Sequence, residues 1–152
     1  MRTTLAWQDI TRDCKLLADK IDSCDVIVSA GRGGLVPSVI ISHILNVPIY
    51  NFGIRSYTDD NVPGEIAFDQ TLGIKFVTKY RDKRVIIIDD LSDKGKTIME
   101  LNSFFELQQF THYKFATLYI KESTSYVPNF YIKRFDDNIW LDFPWESVKL
   151  DK

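Results

Sequence analysis

Between Trp7 and Ile21 the apolar residues Ile10, Cys14, Leu17 and Ile21 recur at three- and four-residue intervals. That spacing predicts an amphipathic helix, with Asp9 and Thr11 as capping candidates near its start. The run DVIVSA that follows is apolar without alternation, as expected of a short strand buried on both faces. GRGG at 31–34 breaks it, and LVPSVIISHIL resumes helical spacing up to Asn46. Strand, glycine turn and helix form the first half of a crossover unit.

PIYNFGIRSY returns to extended character, TDDNVPGE is a polar, turn-rich run, and GIKFVTKY reads as a further strand. After the polar RDK turn, Val85 to Ile88 is the clearest buried strand of the chain. A helix is predicted from about Lys96 to Gln109, with Ile98, Leu101, Phe105 and Phe104 facing the core. KFATLYI is another strand. The remaining stretch is rich in aromatic residues, carries Pro128 and Pro144 and has no helical repeat, which suggests a small hood laid across one end of the sheet. The alternation predicts a single α/β domain spanning residues 1–152, with a mostly parallel central sheet flanked by helices. In such a fold, ligands gather beyond the carboxyl ends of the strands.

Composition narrows the class of protein without naming it. At 152 residues, 45% hydrophobic and 26% charged, the chain is long and apolar enough for one self-sufficient core. Its 19 basic and 21 acidic side chains leave a net charge of -2, so wholesale coating of nucleic acid is not expected. Cys14 and Cys24 are too few for a disulfide scaffold or a CxxC metal site and suit a reducing compartment. His43 and His112 have no partner at metal-site spacing. Neither a signal-peptide core nor a bilayer-spanning apolar run is evident, so a cytoplasmic protein without integral membrane association is expected.

The chemistry concentrates in VIIIDDLSDKGKT, residues 85–97. Asp89 and Asp90 stand where a buried strand leaves the core, a place where carboxylates meet ribose hydroxyls or water held on a divalent cation. SDKGKT supplies Gly95 for a close turn, backbone N–H groups for a phosphate, and the Thr97 hydroxyl near a helix start, while Lys94 and Lys96 add positive field. It is not a Walker A loop, because Asp90 occupies the place of the required first glycine. Taken alone, these acids fit an ordinary solvated strand-to-helix turn about as well as a site. By itself GRGG marks no more than a tight turn.

The segment nonetheless resembles the phosphoribosyl-diphosphate signature of the type I phosphoribosyltransferases, and within that family the bacterial xanthine–guanine branch. AGRGGLVPSVIISHILNVP resembles the second substrate loop and its helix, RSYTDDN the start of the mobile catalytic loop, LYIKES the base-contacting strand end and IWLDFPWE the purine-covering segment. The resemblance implies a type I phosphoribosyltransferase-like fold in which residues from about 121 to 152 cover the purine. Arg32 and Gly33 are implied at the diphosphate, with an unusual cis peptide before or at Gly33. Asp89 and Asp90 would meet the ribose and metal-bound water, with Asp89 the link to Mg²⁺ through water. Asp93 would handle the purine proton, and Asp93, Lys94, Gly95, Lys96 and Thr97 would cradle the 5′-phosphate. Lys121 would recognise a 6-oxo group, Trp140 would stack on the base and the Leu141 backbone would read the 2-substituent. Ser56, Tyr57, Asp59 and Asp60 would belong to the closing loop.

Implied activity is Mg²⁺-dependent transfer of a phosphoribosyl group from phosphoribosyl diphosphate to guanine, xanthine or hypoxanthine, by a homo-dimer or homo-tetramer. Lys94 replaces a threonine common in the family, and Glu122 replaces the proline that follows the base-contacting lysine. These departures motivate the alternative of a catalytically weak nucleotide-binding or regulatory protein. A hydrolase using the same pocket is a third reading. Considered singly, Trp140, Phe143 and Trp145 fit core or interface positions, and Lys121 fits a solvent-facing strand end. Structural roles are expected for Phe143 and Trp145.

Overall fold

The isoleucine run lies at the centre of the sheet in this computed structural model, which describes residues 1–55, 67–70 and 72–147. In chain order the elements are β1 (Arg2–Thr4), α1 (Trp7–Ile21), β2 (Val26–Ala30), α2 (Leu35–Leu45), β3 (Ile49–Arg55) and β4 (Ala67–Gln70). They continue with α3 (Ile74–Tyr80), β5 (Arg84–Ser92), α4 (Lys96–Leu107), β6 (His112–Lys121), β7 (Lys133–Phe135) and β8 (Trp140–Asp142). Six strands pair in the order β4-β3-β2-β5-β6-β7. All the pairings are parallel except that of β4 with β3 at one edge.

The pleat of β5 explains why its apolar residues need not alternate with polar ones. Ile86 and Ile88 face the layer containing Ile10, Cys14 and Leu17 of α1 and Ile41 of α2. Val85 and Ile87 face the opposite layer, with Phe76 of α3 and Leu101 and Phe105 of α4. Both faces of the strand are buried, as a parallel sheet wrapped by crossover helices requires. The helical readings for α1, α2 and α4 agree with the structure, α4 ending at Leu107 rather than Gln109. At the start of α1 the Ala6 N–H donates to the Asp9 carboxylate at 2.9 Å, a cap from within the first turn.

GIKFVTKY is a correction. Alternation in that segment suggests a strand, but residues 74–80 form α3, which buries Phe76, Val77 and Tyr80 and leaves Ile74 79% exposed. Phe76 and Tyr80 lie one helical turn apart, and both meet Tyr50 edge-on, at centroid distances of 4.9 and 5.6 Å. The tertiary contact with β3 selects the 3.6-residue period over the two-residue one.

The chain start and the hood form a second, two-stranded sheet. β1 runs parallel to β8, with Arg2 opposite Trp140 and Thr4 opposite Asp142. The aromatic tail therefore divides: β7 extends the main sheet beside β6, and β8 folds back over the carboxyl end with β1 as its partner. No described helix is long and apolar enough to cross a membrane.

Candidate active site

Two central strands deliver the chemistry. β2 has β3 on one side and β5 on the other, so the chain leaves it in one direction and returns on the other. This switch in strand order opens a crevice at the carboxyl ends of β2 and β5. Residues 31–34 follow β2 and Asp89 and Asp90 close β5, so the two loops that the sequence singles out are spatial neighbours.

A cavity of about 910 Å³ occupies that crevice. Arg32 and Gly33 line it together with Asp89, Asp90, Asp93, Lys94 and Thr97. Lys121, Trp140 and Leu141 line it too. Gly95 and Lys96 are not among the lining residues: Gly95 is buried at the N-cap of α4, and Lys96 opens that helix with an exposed side chain. The described peptide bonds are all trans, so no cis bond is seen at Gly33. Ser56, Tyr57, Asp59 and Asp60 lie outside the described residues.

Burial raises the proton affinity of both acids. Burial, followed by the adjacent Asp90 charge, raises Asp89 well above the usual carboxylate range. Asp90 is pushed up to about 6, first by burial; hydrogen bonding from its neighbours opposes the rise and the Glu146 charge adds to it. The Asp90 N–H donates to the Asp89 carboxylate at 2.9 Å, which fixes their mutual orientation.

Lys121 is not a solvent-facing strand end. Only 5% of it is exposed, and its ammonium donates to the backbone carbonyls of Ile139 and Asp136 in the hood. Trp140 lines the cavity and is 64% exposed. Phe143 is buried and stacks on Trp145 at 4.8 Å, while Trp145 meets Trp7 at 6.1 Å. These two hood aromatics pack the hood against α1 and the sheet, and Phe143 also contributes to the cavity wall.

Sequence reasoning left out Asp137 and Glu146, both of which line the cavity. Asp137 accepts the Ser123 N–H at 3.0 Å, and Glu146 accepts the Phe143 N–H at 3.3 Å. Their only signal was an acidic turn before Trp140 and the acid ending the quoted IWLDFPWE.

A family model described as the phosphoribosyl transferase domain matches residues 3–151. The chain belongs to this family. Its phosphoribosyltransferase character extends over nearly the whole molecule. The chain is 28% identical over 156 residues to the xanthine-guanine phosphoribosyltransferase of Cereibacter sphaeroides, covering 95% of this chain and 86% of that one. The crystal structure of a purine phosphoribosyltransferase from Pyrococcus horikoshii superposes with a TM-score of 0.82 at 31% identity, covering 99% and 98% of the two chains. A xanthine-guanine-hypoxanthine phosphoribosyltransferase from Helicobacter pylori shares the fold, with a TM-score of 0.83 at 17% identity over 97% and 95% of the chains. The type I transferase fold expected from the motifs is the one observed.

Proposed function

We propose that this enzyme transfers the 5-phosphoribosyl group of phosphoribosyl diphosphate to guanine, xanthine or hypoxanthine, releasing diphosphate and a purine nucleoside 5′-monophosphate. The observation that carries the reading is the convergence of three different chemistries on one cavity: an arginine–glycine loop, a carboxylate-and-phosphate loop, and a lysine beneath an aromatic hood. Purine names borne by the Cereibacter and Pyrococcus relatives support the base class.

In the reaction the bond from the sugar C1 to diphosphate breaks and a bond from C1 to purine N9 forms. Arg32 offers directional donors to the departing diphosphate oxygens, and Asp89 and Asp90 orient the ribose hydroxyls. Asp93 takes the N9 proton, while the backbone at 93–97 holds the 5′-phosphate at the start of α4. Two donors of the Lys121 ammonium are engaged by hood carbonyls, which leaves a third for the purine 6-oxo oxygen. An amino group at that position would face a donor, which disfavours adenine. Trp140 supplies the stacking face, and the Leu141 backbone meets the 2-substituent.

Among the described residues no group of three or more His, Cys, Asp or Glu side chains is arranged to hold a metal alone. The Asp89–Asp90 pair nevertheless fits Mg²⁺: it is an all-oxygen donor set whose raised proton affinities a divalent cation would relieve. Mg²⁺ is commonly held by one or two carboxylates with waters and substrate phosphates completing its shell. Bound there, with Asp89 acting through water, the ion would supply positive charge opposite the leaving diphosphate. The same reading takes residues 1–152 as one domain with the purine cover from about 121 onward, in a cytoplasmic homo-dimer or homo-tetramer.

A turnover panel tests the proposal. Purified protein with Mg²⁺ and phosphoribosyl diphosphate is expected to form nucleotide from at least one 6-oxopurine, Asp93→Asn to be nearly inactive, and Lys121→Ala to change the ranking of bases. Folded protein that makes no nucleotide from any of the three, beside an active control enzyme, would sink it. Calorimetric binding of phosphoribosyl diphosphate without turnover would then favour the regulatory alternative.

A further inference from the structure

The segment after the base-side lysine, residues 122–126, is fastened to the phosphate loop by a set of side-chain and backbone hydrogen bonds. Ser92, the last residue of β5, is 2% exposed, and its hydroxyl lies 2.9 Å from that of Thr124. The Ser92 hydroxyl lies 3.1 Å from the Tyr126 carbonyl, and the Tyr126 N–H donates to the Thr124 hydroxyl at 3.4 Å. The Thr124 hydroxyl also lies 3.2 Å from the Tyr126 carbonyl, so whichever hydroxyl donates across the Ser92–Thr124 pair, the other donates to that carbonyl and the bonds close a ring.

That ring stands directly behind the phosphate loop. The Ser125 N–H donates to the Lys94 carbonyl at 3.1 Å. A Cβ on Gly95 would fall 2.7 Å from the Tyr126 nitrogen and 3.1 Å from the Thr124 hydroxyl, and Gly95 has a φ of +87°. Only glycine tolerates both the conformation and the approach. In the trans Lys94–Gly95 peptide the carbonyl and the Gly95 N–H point in opposite directions. Engaging the carbonyl from behind therefore turns the Gly95 N–H to the opposite side of the loop, where Asp93, Lys94 and Thr97 line the cavity.

The same segment reaches the base side. The Thr124 N–H donates to the Lys121 carbonyl at 3.2 Å and the Ser123 N–H to Asp137 of the hood at 3.0 Å. We propose that Thr124, through its bond to Ser92, is a positioning residue that holds residues 124–126 against Lys94 and Gly95 and so aims the Gly95 N–H at the 5′-phosphate. This rests on the reading that residues 93–97 receive that phosphate. A role confined to turn stability is the competing account, and it makes no distinction between ligands with and without phosphate.

Three variants of the full chain decide it: Thr124→Val, which keeps the shape and loses the hydroxyl; Thr124→Ser, which restores it; and Ser92→Ala, which opens the ring from the strand. The readouts are calorimetric affinity for ribose 5-phosphate, KM for phosphoribosyl diphosphate and for guanine, and Tm. Thr124→Val and Ser92→Ala are expected to weaken ribose 5-phosphate and raise KM for phosphoribosyl diphosphate by about fivefold each, the worth of one ordinary hydrogen bond. KM for guanine stays near the parent value, and Thr124→Ser behaves as the parent. Unchanged ribose 5-phosphate affinity with a lowered Tm overturns the proposal, as does an equal loss for both substrates or a Thr124→Ser variant as weak as Thr124→Val. Should Thr124→Val fail to fold, Ser92→Ala decides. A parent that binds ribose 5-phosphate but makes no nucleotide defeats the transferase reading alone, and the affinities still judge Thr124. A parent that does not bind ribose 5-phosphate defeats both.

Discussion

The backbone of Gly33 lies so close to the carboxylate of Asp90 that a Cβ on Gly33 would stand 2.8 Å from each of its oxygens. The glycine loop after β2 and the acid near the end of β5 therefore share one small volume, and neither can move without the other. Gly33→Ala is expected to displace Asp90 by several tenths of an ångström and lower kcat/KM by about ten- to a hundredfold, the scale on which small misplacements act. Steady-state kinetics beside a melting curve checks this. A near-parent Tm with parent-like activity would contradict the shared-volume picture.

Buried polar contacts outside the set of cavity-lining residues predict a different outcome. Asp13, 3% exposed on α1, accepts the Tyr119 hydroxyl at 2.6 Å and the Arg12 guanidinium at 3.0 Å. Tyr119→Phe leaves one carboxylate oxygen with less solvation and is expected to cost about 1–3 kcal/mol of stability, with little effect on turnover. Urea denaturation and kcat, measured on the same preparation, separate the two.

Legibility in the sequence followed the range of the interactions involved. β2, α2, β5 and α4 were readable because their apolar spacing and the turns between them are local signals. Arg32, Asp89 and Asp93 sit at element ends that those signals mark. α3 was misread because seven residues fit either period and only Tyr50, some twenty-five positions earlier, decides between them. β1 was missed since three residues carry no periodicity, and its partner β8 lies 138 positions away. Asp13 carried no signal in the sequence; its buried carboxylate is met by Tyr119, 106 positions along the chain. Asp137 and Glu146 reach the cavity wall only through the folding-back of the hood.

The two thiols give an alkaline prediction. Burial pushes Cys14 up to about 12, with the Asp13 charge adding, and Cys24 up to about 11, where Arg84 opposes and Asp25 adds to the rise. The ordinary thiol value is 9.0, so above it the unfolded chain releases protons that the folded chain retains. Their contribution to stability is therefore complete below pH 9.0 and is lost as the pH rises toward 11 and 12. Denaturation midpoints should fall across that window, less steeply in Cys24→Ala. At pH 8 a thiol reagent should react quickly only after unfolding; rapid labelling of the native protein would contradict the burial argument.

Arg2 links the chain start to Trp140, the proposed stacking residue. Its guanidinium carbon stands 5.8 Å from the centre of the Trp140 ring, and its Nη1 donates to Asp142 at 2.7 Å. The Arg2 side chain is 69% exposed, and pairs of this kind contribute about 0–1 kcal/mol, so Arg2→Ala should leave the Tm nearly unchanged. What it removes is a flat cation near the indole and the tie to Asp142, both of which, in the proposed stacking role of Trp140, restrict its angle to the base. An exposed cation–π contact of about 0.5–1 kcal/mol corresponds to a rise of about two- to fivefold in KM for the purine. KM for phosphoribosyl diphosphate should not follow, because Arg2 is on β1 beside the hood strand and the proposed diphosphate contacts are Arg32 and Gly33. Arg2→Lys keeps the charge and loses the planar fork, so it should lie nearer to alanine than to the parent if ring orientation is what matters. A lysine variant equal to the parent would assign the effect to charge alone, and equal changes in both KM values would remove Arg2 from base recognition.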